Sequence, residues 1–567
     1  MEETSDRRRA RPATSMMLAA LLLAACDGTP PEEASTHALP RVDLLVTNAH
    51  LLTLDEGFGR AEAMAVDDGR VVATGDATLA ERYAADRVLD VAGAVVMPGF
   101  DDSHNHIQSY ARRHVPLAGV ESIAAIGEAV AAKADELGPG EWITGYGWSE
   151  DELAEGRRPL RGDLDAAAPD NPVLLTRAGG HSAVANSLAL ALAEVDENTP
   201  QPEGGVIERD ETGRLNGVIR ERQDLVGQLV PEATDEEVKE SLTANLLALL
   251  PLGITSVTQA SDRIERWPLW REIYRTRGTD LPRARVQMHW EGTEAMAAFL
   301  DGAHDGIDAR RLSVGPVKIF ADGGFTGPAA FTKEPYVGEG DYRGYLNMPE
   351  AELRALIDEV HRAGWQLGIH AIGDAAIEIT VDALVDAIEA TPLEDHRHYL
   401  NHFSMRPSDE TMEAMAAHGI AITQQPNFTY TLAGRYSTYL DGERLEHNNP
   451  LRSPMDHGVF TAISSDILPT GPMVGLYAAT TRRGMDDRVY GAEEAISMEE
   501  ALTAYTHGGA WLAFREGDRG RLVPGQFADF IVLDEDPTAV EPGRLLELEV
   551  RETWIAGERV WLREPGE

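Results

Sequence analysis

Two spacings of hydrophobic residues alternate along this chain. Over residues 42–96 the spacing is short, as "DLLVTNAHLLTL", "AMAVDDGRVVATG" and "RVLDVAGAVVMPG" set apolar runs between tight turns. That pattern predicts β-strands. The Asp67-Asp68-Gly69 step between two of the runs predicts a hairpin. The far C-terminus reads alike, with "FADFIVLDED" and then "VRETWIAGERVWL", which alternates around Ala556-Gly557. Neither end can bury a core alone. The two are expected to pair into one small composite β-sandwich domain, built from residues 41–97 and 515–567.

Between the ends, strand-like and helix-like spacings take turns, which predicts parallel βα units. Eight strand candidates stand out: "AVVMPGFDDSH", "GITSVTQ", "RARVQMHW", "GPVKIFAD", "QLGIHAIG", "RHYLNHFS", "GIAITQQ" and "VFTAISSD". The segment "PEAELRALIDEVHRAG" places Leu353, Leu356, Ile357 and Val360 on one helical face, with Pro349 near its start and Gly364 at its end. Eight such units predict an α/β fold of the (β/α)8 TIM-like barrel type over residues 98–514. Residues from about 107 to 243 do not fit the count. They hold extra strands, "EWITGYGW" and "NPVLLTR", and read as an insertion after barrel strand 1. No internal repeat is visible.

Composition narrows the partners. The chain has 567 residues, 43% hydrophobic, with 50 basic against 95 acidic side chains and a net charge of −45. Such a surface argues against nucleic acid and against an anionic membrane surface. It is compatible with a salt-rich habitat and equally with an Arg- and Ala-rich genome. The one cysteine, Cys26, closes the run "MMLAALLLAAC" behind Arg7, Arg8 and Arg9. A basic start, a short apolar core and small residues before a cut form the signal-peptide pattern. It resembles a bacterial lipoprotein signal over residues 1–26, with residues 27–40 as a flexible tether. The expectation is a protein lipid-anchored through Cys26 in a bacterial cell envelope, on the periplasmic or other extracytoplasmic face. An ordinary signal peptide is the alternative.

Candidate chemistry sits where barrel strands end. The first strand ends in His104-Asn105-His106, and two histidines at i and i+2 leave a strand on the same side, as ligands of one metal must. The fourth strand holds Lys318, the fifth ends in His370, the sixth in His402 and the eighth in Asp466. Taken singly, a histidine on an apolar strand is ordinarily a hydrogen-bonded core residue. It is the ordered set, gathered at the barrel end where catalytic groups collect, that points to a metal centre. Lys318 is one of only four lysines, and the other three, Lys133, Lys239 and Lys333, lie in polar stretches. A buried ammonium is costly, but a poorly solvated amine can react with carbon dioxide. The carbamate so formed offers two oxygens to bridge two cations. The alternative is an uncarboxylated Lys318 paired with Asp322 or another acid.

These motifs resemble the amidohydrolase superfamily, and within it the amidohydrolase-3 group of N-substituted formamide deformylase-like metal-dependent hydrolases. The resemblance spans residues 42–562 and rests on "VMPGFDDSHNH", "VKIFADGG", "GIHAIGD", "RHYLNHFS", "AISSD" and "GRLVPGQFADFIVLD". It implies a binuclear centre in which His104, His106, Asp466 and the Lys318 carbamate hold one divalent ion. The carbamate, His370 and His402 hold the other. One departure is Asn401, where relatives more often carry Glu. An imidazole-rich set favours Zn²⁺. Asp466 is expected to move a proton as well as bind metal. His181, in "TRAGGHSAVANS", is expected to orient the substrate carbonyl, the alternative being a loop histidine with no role.

The implied function is metal-dependent hydrolysis of a non-peptide, amide-type C–N bond in a small molecule, through a metal-activated hydroxide. A deaminase or cyclic amidase of the same superfamily is the first alternative. A non-catalytic, tethered metal- or solute-binding protein is the second, and a homodimer is left open. The aromatics of "NFTYTLAGRYSTYL" (Phe428, Tyr430, Tyr436, Tyr439) hint at an apolar or aromatic substrate. Other chemistries fail on sequence: "GGHSAVA" has Val184 where a nucleophile elbow needs glycine, and no Gly-Lys pair exists to build a Walker loop.

Overall fold

The structure, a computed structural model, describes residues 39–564 apart from 151–152, 178–181, 203–204, 326–327 and 468. The signal-peptide reading, Cys26, most of the tether and His181 therefore lie outside the described residues. Among the described residues no helix is long and apolar enough to cross a membrane.

Eight parallel strands form one sheet: β1 (Phe100–Asn105), β2 (Ile254–Asp262), β3 (Arg283–His289), β4 (Leu312–Phe320), β5 (Leu367–Ala371), β6 (Tyr399–His402), β7 (Ala421–Gln424) and β8 (Thr461–Ile463). Each pairs in parallel with the next, in chain order. These are the eight segments read from the sequence. The seam between β8 and β1 is closed by individual bonds. The Asp466 N–H donates to the His104 carbonyl at 3.0 Å. The Ser103 hydroxyl donates to the Ile463 carbonyl at 3.2 Å, and the Ser465 N–H to an Asp102 carboxylate oxygen at 3.2 Å.

β1 is unusual for a buried strand, since five of its six residues are polar and all six are buried. Burying polar groups is tolerable only when they are bonded. Asp101 pairs with Arg519 at 2.7 Å, and the Ser103 hydroxyl meets that of Thr423 at 2.6 Å. The strand is thereby tied to its surroundings before any ligand is considered.

Three helices show how local sequence sets the wall. Helix α1 (Asp235–Leu247) opens on a reciprocal cap between Thr234 and Glu237 and buries Val238, Leu242 and Leu246 in the barrel core. In α2 (Glu350–Arg362), Leu353, Ile357 and Val360 face inward, and Gly364 follows with φ 79°, the left-handed position that ends a helix. Helix α3 (Met498–Leu512) lies directly on β1. A side chain at Gly509 would sit 2.4 Å from the Asp101 carbonyl oxygen, so glycine is what permits that approach.

The chain ends pair as their patterns suggest. A six-stranded sheet combines His50–Leu52, Arg60–Ala61 and Val95–Pro98 with Phe530–Leu533, Val550–Ile555 and Glu558–Leu562. A four-stranded sheet from residues 41–90 packs on it through Leu44, Met64, Val96, Phe530 and Trp554. The expected hairpin at Asp68-Gly69 and a second one at Ala556-Gly557 both have two-residue turns with positive φ throughout. Between β1 and β2 a further six-stranded sheet spans residues 114–220, with a core of its own that includes Ile126, Ile143, Trp148 and Val173.

Candidate metal centre

The residues read from the strand ends converge. His104 ends β1 fully buried, and His106 follows it half-buried, the two rings 5.3 Å apart. From His104 Nε2 to one Asp466 oxygen is 3.9 Å, and from His106 Nε2 to the other is 3.8 Å. His402 Nδ1 lies 3.8 Å from Asp466. The His402 ring is 4.8 Å from that of His104 and 4.5 Å from that of His370. His104, His402 and Asp466 each offer a ligand atom, all within 4.8 Å of one another. His402 (φ 77°) and Asp466 (φ 56°) both sit in the left-handed backbone region. Non-glycine residues hold such conformations at a cost, and they gather at functional sites.

Burial decides the charges. It pushes His104, His402, His370 and His106 below the ordinary histidine range, with the Lys318 charge adding to the effect. Four neutral imidazoles result, the form that donates lone pairs to a cation. Burial also pushes the Asp466 carboxyl up and the Lys318 amine down, each opposed by the charge of the other.

Lys318 differs from the other lysines in kind. Lys133 pairs with Glu136, Lys239 with Glu236 and Glu272, and Lys333 with Glu378. Lys318 is 4% exposed, and its Nζ has no hydrogen-bond partner among the described residues. Asp322, the acid considered as its partner, is engaged elsewhere. Its carboxylate accepts the N–H groups of Phe331, Ile372 and Gly373 at 2.9–3.0 Å. Two unsatisfied buried nitrogens, Lys318 Nζ and His104 Nε2, therefore lie in one centre beside a carboxylate. Groups left so are explained by a ligand, and this donor set fits a divalent cation.

Of the amide side chains around these rings, the sequence singles out Asn401 as a departure and misses Gln425. Asn401 Oδ1 lies 2.6 Å from His104 Nδ1, and Gln425 Oε1 lies 2.8 Å from His402 Nδ1. The departure at Asn401 thus leaves a hydrogen-bond acceptor on the first-strand histidine. Gln425 directly follows β7, and the polar end of "GIAITQQ" was the signal that could have found it. β3 likewise ends in His289, whose Nε2 is 2.6 Å from the Ser261 hydroxyl near the end of β2.

A cavity of about 510 Å³ opens beside Asp466, lined by His106, Gln108, Tyr110, Gln259 and Ile467 among others. The stretch "NFTYTLAGRYSTYL" does not hang free over it. It folds into two short helices that bury Phe428 and Tyr436, the former stacked 6.0 Å from the His402 ring and the latter 5.0 Å from Phe325. Those two aromatics are wall rather than free substrate contacts.

Comparison with known proteins agrees with this geometry. A family model described as "Amidohydrolase family" matches residues 87–561. The chain is 30% identical over 525 residues to amidohydrolase YtcJ of Bacillus subtilis (strain 168), covering 90% of this chain and 97% of that protein. It is 30% identical over 544 residues to N-substituted formamide deformylase of Arthrobacter pascens, covering 91% and 97%. Its fold matches the crystal structure of an uncharacterized metal-dependent hydrolase from Pyrococcus furiosus with a TM-score of 0.68 at 27% identity, over 87% of this chain and 99% of that one. With strand ends, donor set and near-full-length similarity all in accord, the chain belongs to the amidohydrolase family, as a metal-dependent hydrolase acting on carbon–nitrogen bonds.

Proposed function

We propose that the protein hydrolyses a non-peptide, amide-type C–N bond of a small molecule, with two divalent ions, Zn²⁺ by preference, bridged by a carboxylated Lys318. The observation that carries this reading is Lys318: a buried amine with no hydrogen-bond partner among the described residues, beside Asp466 and four neutral histidines. In such a place the free amine is accessible, and carboxylation turns that amine into an anionic ligand. His104, His106 and Asp466 would hold one ion with the carbamate, and His370 and His402 the other. Similarity over almost the whole length to an N-substituted formamide deformylase supports the amide class.

Bound ions of this kind supply an activated water and polarise a carbonyl. The protein's own groups do the rest. The Asp466 carboxylate is poised to accept a proton from the attacking water and pass it to the leaving nitrogen. The cavity beside it receives the substrate, and the buried walls around His104 and His402 keep bulk water from the ligand atoms. His181 is proposed to orient the carbonyl.

Metal analysis followed by a screen of N-formyl, N-acyl and cyclic amides tests the reading. Release of a formyl or acyl group with stoichiometric metal is expected. Ammonia as the product would replace the reading with a deaminase, and metal without turnover would replace it with a binding protein. The lipid anchor is a companion proposal resting on "LAAC" at residues 23–26. Cys26→Ser should block lipidation and cleavage by the lipoprotein signal peptidase, and a variant processed and anchored as before would end that proposal.

A further inference from the structure

His402 Nδ1 and Gln425 Oε1 are 2.8 Å apart, and both residues are buried. The Gln425 amide can face only one way. Its Nε2 donates to the Thr423 carbonyl at 3.1 Å and to the Ser464 hydroxyl at 2.8 Å. Turned over, its oxygen would meet the Thr423 carbonyl, acceptor against acceptor. The oxygen must therefore face His402, so the ring proton sits on Nδ1 and Nε2 keeps its lone pair. No described residue hydrogen-bonds that Nε2.

Asn401 stands in the same relation to His104, with one difference. Its Oδ1 is 2.6 Å from His104 Nδ1, but its own Nδ2 is buried without a partner. No described residue holds that amide from behind, whereas Gln425 is held from two sides. A carboxylate at position 425 could accept from His402 but could not donate to Thr423. An apolar side chain could do neither.

We propose that Gln425 is a positioning residue that locks His402 as its Nδ1–H tautomer, the proton sitting on the nitrogen 3.8 Å from Asp466, and so leaves Nε2 as the ring's sole donor to a divalent cation. This rests on the metal-dependent reading above but not on the substrate class. Groups that fix a ligating histidine from behind change metal affinity by roughly 10–100-fold when removed.

The test uses the metal-free full-length enzyme and Zn²⁺ itself, with affinity read by chelator competition. Gln425→Met, similar in length and without hydrogen bonds, should bind Zn²⁺ roughly 10–100-fold more weakly. Gln425→Glu keeps the acceptor facing His402 and should stay within a few-fold of wild type, even as its melting temperature falls from the lost Thr423 bond. If the Met variant fails to fold, Gln425→Asn serves in its place, because one methylene fewer withdraws the oxygen from His402. Wild-type affinity in the Met or Asn variant overturns the proposal. So does equal weakness in the Glu variant, which would mark a merely structural role. A wild type that binds Zn²⁺ yet hydrolyses no amide sinks the proposed activity and leaves this inference standing, whereas one that takes up no Zn²⁺ overturns both.

Discussion

Strand β6 is bracketed by two buried histidines whose surroundings differ in one respect. At its N-terminal end, His398 accepts the Leu367 N–H on Nδ1 at 3.1 Å, and its Nε2 meets His361 Nδ1 at 2.7 Å. His361 Nε2 in turn lies 2.7 Å from the Thr391 carbonyl. The backbone N–H at one end and the carbonyl at the other fix every proton along that chain, and all four ring nitrogens are used. At the C-terminal end, His402 and His104 each spend one nitrogen on an amide and keep the other free for a cation. Both clusters are equally buried. Burial therefore says nothing about role, and the unspent lone pair does. The difference also follows the barrel's polarity, in which the N-terminal end is held by satisfied bonds and the C-terminal end carries the chemistry.

The largest expected effect of breaking this contrast is at Lys318. Lys318→Arg keeps the charge but cannot form a carbamate, and its fork would crowd the ligand atoms. Activity should fall to background with loss of bound metal. In Lys318→Ala a short carboxylic acid, filling the gap, should restore part of it. Full turnover in the arginine variant would exclude the bridging carbamate.

Asp466→Asn comes next. It retains a coordinating oxygen but cannot take a proton near neutral pH. Turnover per metal-loaded enzyme should drop by about 10²–10⁴-fold while the fold and much of the metal remain. A drop of less than about tenfold would remove Asp466 from proton transfer.

At the opposite end, His398→Leu should do the reverse. It strands the Leu367 N–H and His361 Nδ1, costing about 1–3 kcal/mol for each buried group left unpaired. Urea unfolding should show that loss, with metal content and turnover per folded molecule unchanged. Altered metal content would mean that the two clusters are not independent.

The smallest effect is in acid. Burial, with His396 and His361 nearby, holds His398 well below the ordinary histidine value. Below the unfolded value of about 6.5 the unfolded chain binds the proton that the folded one refuses. Stability is thus complete above that pH and falls as pH decreases, by about 1.4 kcal/mol per pH unit for each such histidine. Between about pH 7.5 and pH 5.5 the wild type should lose more stability than His398→Leu. Parallel losses would show that His398 does not titrate on unfolding.

The sequence by itself determined the repeating units and most of the chemistry. Period-two and period-3.6 spacing located all eight barrel strands and α2, because side-chain direction in a strand or helix is a local property. The same spacing put His104, Lys318, His370, His402 and Asp466 at strand ends. What only the tertiary structure decided is which nitrogen of each ring is free. His104 and Asn401 are 297 residues apart in sequence, and His402 reaches Gln425 only because β6 and β7 lie side by side. The same holds for Lys318, whose lack of a hydrogen-bond partner among the described residues is visible only once Asp322 is seen held by the amides of Phe331, Ile372 and Gly373. A residue type states what a side chain can donate or accept, whereas its partners are set by chain segments that no local pattern connects.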